Sequence, residues 1–316
     1  MKITILGAGA LGSAIGAALT EAGHEVWLLN RSAAHVEAMR REGLRVDDER
    51  GSRHIAVRAT QRPEEAGVSE LVIVLVKSAH TEAAMRGALA LIGPDTMVMP
   101  LQNGLGHEEV LADLVGIERV LVGRTYVGGV MRGPGHIQAG LTGKATVIGE
   151  LDGRLSPRVQ ALAEVFNQAG LQTTVSLNIL GTVWDKLLVN VATGALTGIT
   201  RLSYGPLYDE PLLAATAQAA VAEAMAVARA AGIALSLSEP AQAWQLASAG
   251  LGPGFKTSML QSLEKGALTE IDFINGAVVR QGERLGVPTP VNRTLVACIK
   301  GIERAMTDRQ REETVQ

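Results

Sequence analysis

Lys186 and Asn190, one helical turn apart in Trp184-Asp-Lys-Leu-Leu-Val-Asn-Val-Ala-Thr-Gly194, are the residues of this chain best suited to act on a substrate. Their spacing puts both on one face of a helix and leaves Leu187, Leu188 and Val191 for packing. A lysine in the first turns of an apolar helix is costly to bury unless it is paired or loses its charge. Such a group suits reduction of a ketone, because hydride arriving at carbon leaves an alkoxide that must be stabilised and protonated. Asn190 can donate to an oxygen of the same substrate. The competing structural reading is a lysine that snorkels from the helix surface.

A second set runs from Lys256-Thr-Ser258 to Thr269-Glu-Ile-Asp-Phe-Ile-Asn-Gly276. Ile271, Ile274 and Val278 form an apolar stripe, Glu270 and Asn275 flank it, and Asp272 points away. Glu270 is then a half-buried partner for a lysine, and Ser258 can bond a carboxylate or hydroxyl. Thr269-Glu270 also reads as plain helix-start chemistry, an N-cap followed by an acid.

The hydride source is legible at the other end of the chain. Lys2-Ile-Thr-Ile-Leu6 reads as a buried parallel strand and leads into Gly7-Ala-Gly-Ala-Leu-Gly12, the G-x-G-x-x-G pattern. Gly7 allows the tight turn, Gly9 admits a pyrophosphate, and Gly12 lets the following helix, expected over about Leu11 to Ala22, sit close on the strand. That helix aims its free N–H groups at the phosphates. Gly7, Ala8, Gly9, Ala10, Leu11 and Gly12 are thus the expected cofactor loop. The second strand, Glu25-Val-Trp-Leu-Leu29, ends on Asn30-Arg31-Ser32 where an NAD site usually has a carboxylate. A guanidinium there pairs with the 2′-phosphate of NADP(H), so Arg31 argues for that cofactor. A solvated loop arginine is the plain alternative.

Lys77, after Leu71-Val-Ile-Val-Leu-Val76, and Asn103, in Gln-Asn-Gly-Leu-Gly106, follow successive strands at the carboxyl edge where doubly wound sheets bind ligands. Both are candidate cofactor-lining residues. An exposed strand-end lysine and a conformational turn asparagine are the structural alternatives.

The elements that position these groups fall into two parts. Strand-helix alternation to about residue 175 predicts a Rossmann-type α/β domain over 1–175. Leu44-Arg-Val and His54-Ile-Ala-Val-Arg58 flank a polar stretch that reads as a hairpin or irregular crossover. Short strands between Val120 and Ile148 look like a meander closing the sheet. From Ile179 the periodicity is helical, predicting an all-α domain over 176–316, with the Ala-rich Leu212 to Ala231 as an ordinary buried helix and Asp308 to Gln316 as a fraying tail.

Composition narrows the partners. Across 316 residues the net charge of −3 gives no basic field for nucleic acid or anionic membrane. One cysteine, Cys298, excludes an intramolecular disulfide, and its Val-Ala-Cys-Ile setting predicts core packing. No signal peptide or metal-ligand spacing is read, and no unbroken apolar run reaches membrane-span length. A cytoplasmic protein acting on a small molecule is the expectation, and the helix-rich second part is compatible with a homodimer.

Taken in order, Gly7 to Gly12, Arg31, Lys77, Gln102-Asn-Gly104, Trp184 to Asn190, Ser258-Met-Leu-Gln261, Thr269 to Gly276 and Gly286-Val-Pro-Thr-Pro-Val-Asn292 resemble the ketopantoate reductase family over almost the whole chain. The resemblance implies a Rossmann domain followed by a helical domain, an active site in the cleft between them, and NADPH as hydride donor. It implies Lys186 as general acid, with Glu270 near it and near the nicotinamide end. Asn103 would serve cofactor and substrate, and Asn190 and Ser258 would hold the substrate. The implied activity is reduction of a 2-oxo acid to a 2-hydroxy acid, 2-dehydropantoate to pantoate in pantothenate biosynthesis being the leading case. Two positions depart from the pattern of the pantothenate-pathway enzymes. Gly194 replaces a second asparagine one turn beyond Asn190, and Tyr204 stands ahead of Gly205 where a further asparagine is expected. A family member reducing another 2-oxo acid or ketone is therefore the alternative, and an NADPH-binding sensor without turnover is a third reading.

Overall fold

The structure is a computed structural model that describes residues 1–315, with side chains described through Gln310. Lys2–Leu6 (β1) runs into helix Ala10–Glu21 (α1) and then Glu25–Leu29 (β2). Helix Ala33–Glu42 (α2) leads to strands Leu44–Asp48, Gly51–Ile55 and Arg58–Thr60 (β3, β4, β5). Pro63–Ala66 (α3), Leu71–Val74 (β6), Thr81–Arg86 (α4), Met97–Pro100 (β7) and His107–Val115 (α5) follow. Leu121–Thr125, Gly128–Gly133, His136–Gly140 and Thr146–Glu150 (β8 to β11) precede Pro157–Gln168 (α6) and Thr173–Val175 (β12).

A five-stranded parallel sheet in the order β5-β2-β1-β6-β7 is the frame. Alternate side chains of its strands enter separate cores: Ile3, Ile5, Leu71 and Ile73 on one face, Leu6, Val72 and Val74 on the other. Burial of both faces is why β6 is an unbroken apolar run and why the one polar residue buried in β1, Thr4, has its hydroxyl bonded to Ser69 at 2.8 Å. Helix α1 lies between this sheet and a four-stranded sheet ordered β4-β3-β10-β9. Every residue from Gly12 to Leu19 is consequently buried, and most are Gly, Ala or Ser because two backbone layers flank the helix. A Cβ on Gly16 would stand 2.4 Å from Leu28 Cδ2.

The stretch from Val120 to Ile148 is not the expected meander. β8 pairs antiparallel with β11, which pairs parallel with β12, whereas β9 and β10 join the β3–β4 hairpin. A strand's local pattern is the same whichever neighbour it takes, so sequence reading closed the wrong pairs. The polar stretch from Asp47 to Arg53 lies mostly within the β3–β4 hairpin, and β5 is a separate strand of the parallel sheet.

The rest is helical: Ile179–Thr200 (α7), Tyr204–Tyr208 (α8), Pro211–Ala230 (α9), Pro240–Ser248 (α10), Ser258–Glu264 (α11), Asn275–Leu285 (α12) and Pro290–Val315 (α13). Contacts divide the chain into two compact units, one of Met1–Gln102 with His107–Ile179 and one of Asn103–Gly106 with Leu180–Gln316. Among the described residues α7 and α9 are long and apolar enough, by length and composition, to cross a membrane, with mean hydropathy 1.2 and 1.4. Counting only unbroken apolar runs misses such helices. Here they serve as core helices: Leu188, Val191 and Ala192 on α7 and Ala217, Val221 and Ala224 on α9 are fully buried. Cys298 is exposed, contrary to the core expectation. On α13 the inward stripe is Asn292, Leu295 and Ile299, and Cys298 falls on the solvent side of it. The tail from Asp308, expected to fray, continues α13 as far as Val315, and Gln316 lies outside the described residues.

Candidate active site

In the first unit the glycine loop is held from several sides. Gly7 has φ +104°, and a Cβ there would stand 2.4 Å from Val76 N, so the turn excludes any side chain. A Cβ on Gly12 would lie 2.6 Å from Gly7 O, and one on Gly129 of β9 would lie 2.9 Å from Ala10 O. At Gly9 the added atom would meet nothing within 4 Å, which leaves open space in front of the first turn of α1. That end of α1 has no side-chain cap and no acid in its first turn. Unpaired N–H groups beside open space fit a dinucleotide pyrophosphate.

The carbonyl of Ala8, in the middle of the loop, accepts from Asn30 Nδ2 at 2.6 Å and from Ser13 Oγ at 3.1 Å. Buried His35 completes this cluster: its Nδ1 accepts from Gly135 N–H at 2.8 Å, and its Nε2 faces Ser13 Oγ at 3.4 Å. Sequence spacing carried no signal for His35, because Gly135 lies a hundred residues away. Burial pushes the His35 pKa down, more than the nearby Ala8 carbonyl raises it. A depressed folded pKa means that its stabilisation is complete above the ordinary histidine value near 6.5 and is lost as pH falls below that value through the folded one. Urea unfolding is expected to show stability falling between pH 7 and 5.5, by at most about 1.4 kcal/mol per unit from this group. His35→Gln should flatten that slope; an identical slope in the variant would remove His35 from the effect.

Asn30 also accepts from Ser32 N–H at 2.8 Å, and Ser32 Oγ caps α2 by accepting from His35 N–H at 3.3 Å. Between them Arg31 is exposed at the end of β2, its carbonyl bonded by Gln61 Nε2 at 2.8 Å. Among the described residues its guanidinium has no hydrogen-bond or salt-bridge partner. A fixed backbone with an unpaired guanidinium and no carboxylate on β2's last turn fits a 2′-phosphate. Lys77, also exposed, follows β6 by three residues, and the Val76 backbone beside it abuts Gly7. Lys77 and the glycine loop thus share the carboxyl edge of adjacent strands β6 and β1. Among the described residues no cluster of three or more His, Cys, Asp or Glu that could hold a metal occurs.

The second unit carries the other candidates. Lys186 and Asn190 are half-buried on α7, which begins at Ile179 as the periodicity predicts, so Lys186 stands two turns into the helix. Leu187, Leu188 and Val191 fill the core beneath them. Asp185, next to Lys186, gives its carboxylate to Ser236, accepting from Oγ at 2.7 Å and from N–H at 3.1 Å. Two turns beyond Lys186, a Cβ on Gly194 would meet only the Met259 thioether at 3.5 Å. Thr193 beside it bonds the hydroxyl of buried Tyr204 at 3.2 Å, and Tyr204 packs on Phe255 with ring centres 4.9 Å apart. Ser258 is exposed at the first position of α11, directly after the capping residue Thr257, whose Oγ1 bonds Thr197 at 2.6 Å.

Glu270 precedes a short 3-10 turn, Ile271–Phe273, rather than riding on one continuous helix. The expected stripe holds, with Ile271, Ile274 and Val278 all buried, but Asn275 is fully buried instead of lying at its edge. Asn275 Nδ2 donates to Asn292 Oδ1 at 3.0 Å inside the core. The Asn103 loop packs on this segment. Leu105 N–H donates to Phe273 O at 3.0 Å, and Gly104 has φ +96° because a Cβ would stand 2.5 Å from that same oxygen. Asn103 and Glu270 therefore belong to one unit, bridged through Phe273.

A parallel α/β unit with a glycine-lined turn at a helix N-terminus, joined to an all-α unit bearing a lysine, amides and a carboxylate, defines a two-part dinucleotide-dependent oxidoreductase. Residues 3–153 match the family profile described as ketopantoate reductase PanE/ApbA, and residues 178–303 match its C-terminal counterpart. The 2-dehydropantoate 2-reductase of Archaeoglobus fulgidus is 35% identical over 303 residues, covering 96% of this chain and 98% of the relative. A crystal structure of a PanE/ApbA family ketopantoate reductase from Ralstonia eutropha JMP134 has a TM-score of 0.89 and 34% identity, over 97% of this chain and 100% of that one. The ternary structure of D-mandelate dehydrogenase with NADH and anilino(oxo)acetate also has a TM-score of 0.89, at 28% identity over 97% and 100% of the two chains. The chain belongs to the ketopantoate reductase family. It is an oxidoreductase of a family that uses NADP(H).

Proposed function

We propose that the protein reduces a 2-oxo acid to a 2-hydroxy acid with NADPH, 2-dehydropantoate to pantoate in pantothenate biosynthesis being the leading reaction. The observation that carries this reading is the single all-α unit that holds Lys186, Asn190, Ser258, Glu270 and Asn103 together. In it, residues 1–175 bind the cofactor through Gly7 to Gly12, Arg31 and Lys77, and residues 176–316 carry the chemistry. When bound, NADPH would supply a hydride to the carbonyl carbon. Lys186 gives its ammonium proton to the oxygen as charge develops there, which completes the alcohol. Asn190 and Ser258 donate to the substrate's oxygens and fix its orientation. By the family likeness Glu270 would serve beside Lys186 and the cofactor, and Asn103 would serve both ligands. A cytoplasmic setting suits a chain with one cysteine.

A second reading keeps the chemistry and changes the substrate to another bulky 2-oxo acid or ketone. Gly194 and Tyr204 favour it, because a glycine facing the Met259 thioether and a tyrosine packed on Phe255 stand where amides would recognise a hydroxyl. The D-mandelate dehydrogenase likeness shows that this fold accommodates other substrates. A panel of 2-oxo acids compared by kcat/KM, with NADPH and NADH side by side, decides. The expected result is highest kcat/KM for 2-dehydropantoate with NADPH. A preference of about tenfold or more for an apolar 2-oxo acid selects the second reading. Failure to oxidise NADPH with every member of the panel rejects both.

A further inference from the structure

Helix α13 carries none of the groups assigned to the reaction, yet it fastens the segment bearing Glu270 on both sides. Glu303 of α13 is 5% exposed. Its Oε1 accepts two bonds from Thr269, from the backbone N–H and from Oγ1, each 2.7 Å. The same Thr269 hydroxyl accepts from Ile271 N–H at 3.2 Å. Three residues before Glu303, Lys300 donates to Asp272 Oδ2 at 2.7 Å and stands 3.4 Å from Glu303 Oε2. Between these ties the Glu270 carbonyl accepts from Phe273 and Ile274 N–H at 2.9 and 3.1 Å, and the Phe273 carbonyl accepts from Leu105 N–H at 3.0 Å. An unbroken path of bonds thus runs from α13, through residues 269 to 273, to the loop that carries Asn103. Helix α13 also touches α7, since a Cβ on Gly198 would stand 2.8 Å from Ile299 Cδ1.

Burying a carboxylate is costly, and its retention here needs a reason beyond filling space. The Thr269–Ile271 bond and the backbone bonds at Glu270 would close the turn without it. What the buried carboxylate adds is a fixed point on a long helix, which removes the turn's freedom to shift against the rest of the unit. We propose that Glu303, braced by Lys300, is a positioning residue that holds Glu270 and the Asn103 loop in register for the reaction. The proposal rests on the reading of Glu270 as part of the catalytic set.

Steady-state kinetics on the full chain, with NADPH and a 2-oxo acid that turns over, test it. Glu303→Met, which removes the acceptor, and Thr269→Val are expected to lower kcat by about tenfold, because displacements of an ångström or less at reacting groups have effects of this order. The Kd for NADPH should change much less than kcat in both, since the main cofactor contacts assigned to Gly7 to Gly12, Arg31 and Lys77 lie outside this segment. In a Glu270→Ala background the same substitutions should cost clearly less than in the parent, because one of the two groups they position is gone. Unchanged kcat in both variants overturns the proposal, as do losses that multiply fully with that of Glu270→Ala. Equal losses of kcat and NADPH binding also overturn it, since they mark a general loosening. Should Glu303→Met fail to fold, Thr269→Val, which keeps the backbone bond, and Lys300→Met decide by the same criteria. Full turnover in Glu270→Ala rejects the catalytic reading and the proposal with it, whereas loss there beside intact clamp variants rejects the proposal alone.

Discussion

Replacing Lys186 with alanine is expected to lower kcat by about 10²- to 10⁴-fold, the range for loss of a general acid, while NADPH still binds. The helix should survive the change. Leu187, Leu188 and Val191 provide the packing under that turn of α7, and Asp185 keeps its bonds to Ser236. In the proposed reaction half-buried Lys186 stabilises the developing alkoxide by charge and then supplies its proton, so alanine would remove both contributions. Single-turnover absorbance at the NADPH band measures the hydride step, and a fluorescence titration measures binding separately. Retained turnover would remove Lys186 from the reaction. The experiment also separates an enzyme from an NADPH sensor, because a sensor has no step for the lysine to serve.

Arg31→Asp is expected to weaken NADPH by about 10- to 100-fold, since hydrogen bonds to charged groups contribute about 1.5 to 3 kcal/mol. NADH should be affected far less, because its ribose hydroxyls can accept the carboxylate as a partner. The substitution is well placed for a clean result. Arg31 is exposed, its backbone is set by Asn30, Ser32 and Gln61, and no described residue depends on its guanidinium. Dissociation constants for both cofactors check it, and equal loss for the two would show that Arg31 does not read the 2′-phosphate.

What was legible in the sequence was local. Gly7 to Gly12 follows a strand and opens a helix, so the turn, the helix start and the open space at Gly9 are set by residues within a few positions of one another. Lys186 and Asn190 declare their shared face through a four-residue spacing that any α-helix obeys. What was not legible depended on partners far along the chain. The antiparallel pairing of β8 with β11 and of β9 with β10 cannot be told from strands of equal length and pattern. Cys298 shows the same limit on a helix: the apolar quartet Val296-Ala-Cys-Ile299 marks a helix without saying which member faces in, and Ile299 takes that place. His35 and Glu303 escaped notice because a buried polar group is recognised by what it bonds, and Gly135 and Thr269 come from other elements.

The enclosure of α1 between two sheets has a consequence for how the chain is made. Its first neighbours, β1 and β2, leave the ribosome together with it, whereas β9 and β10 emerge about a hundred residues later, several seconds at ordinary rates of synthesis. During that interval β3 and β4 reach only part of α1, and the face that β9 and β10 will cover waits open. Glycine, alanine and serine expose little apolar area there, so the side chains that let two sheets close on the finished helix also leave the nascent one with little to offer a wrong partner.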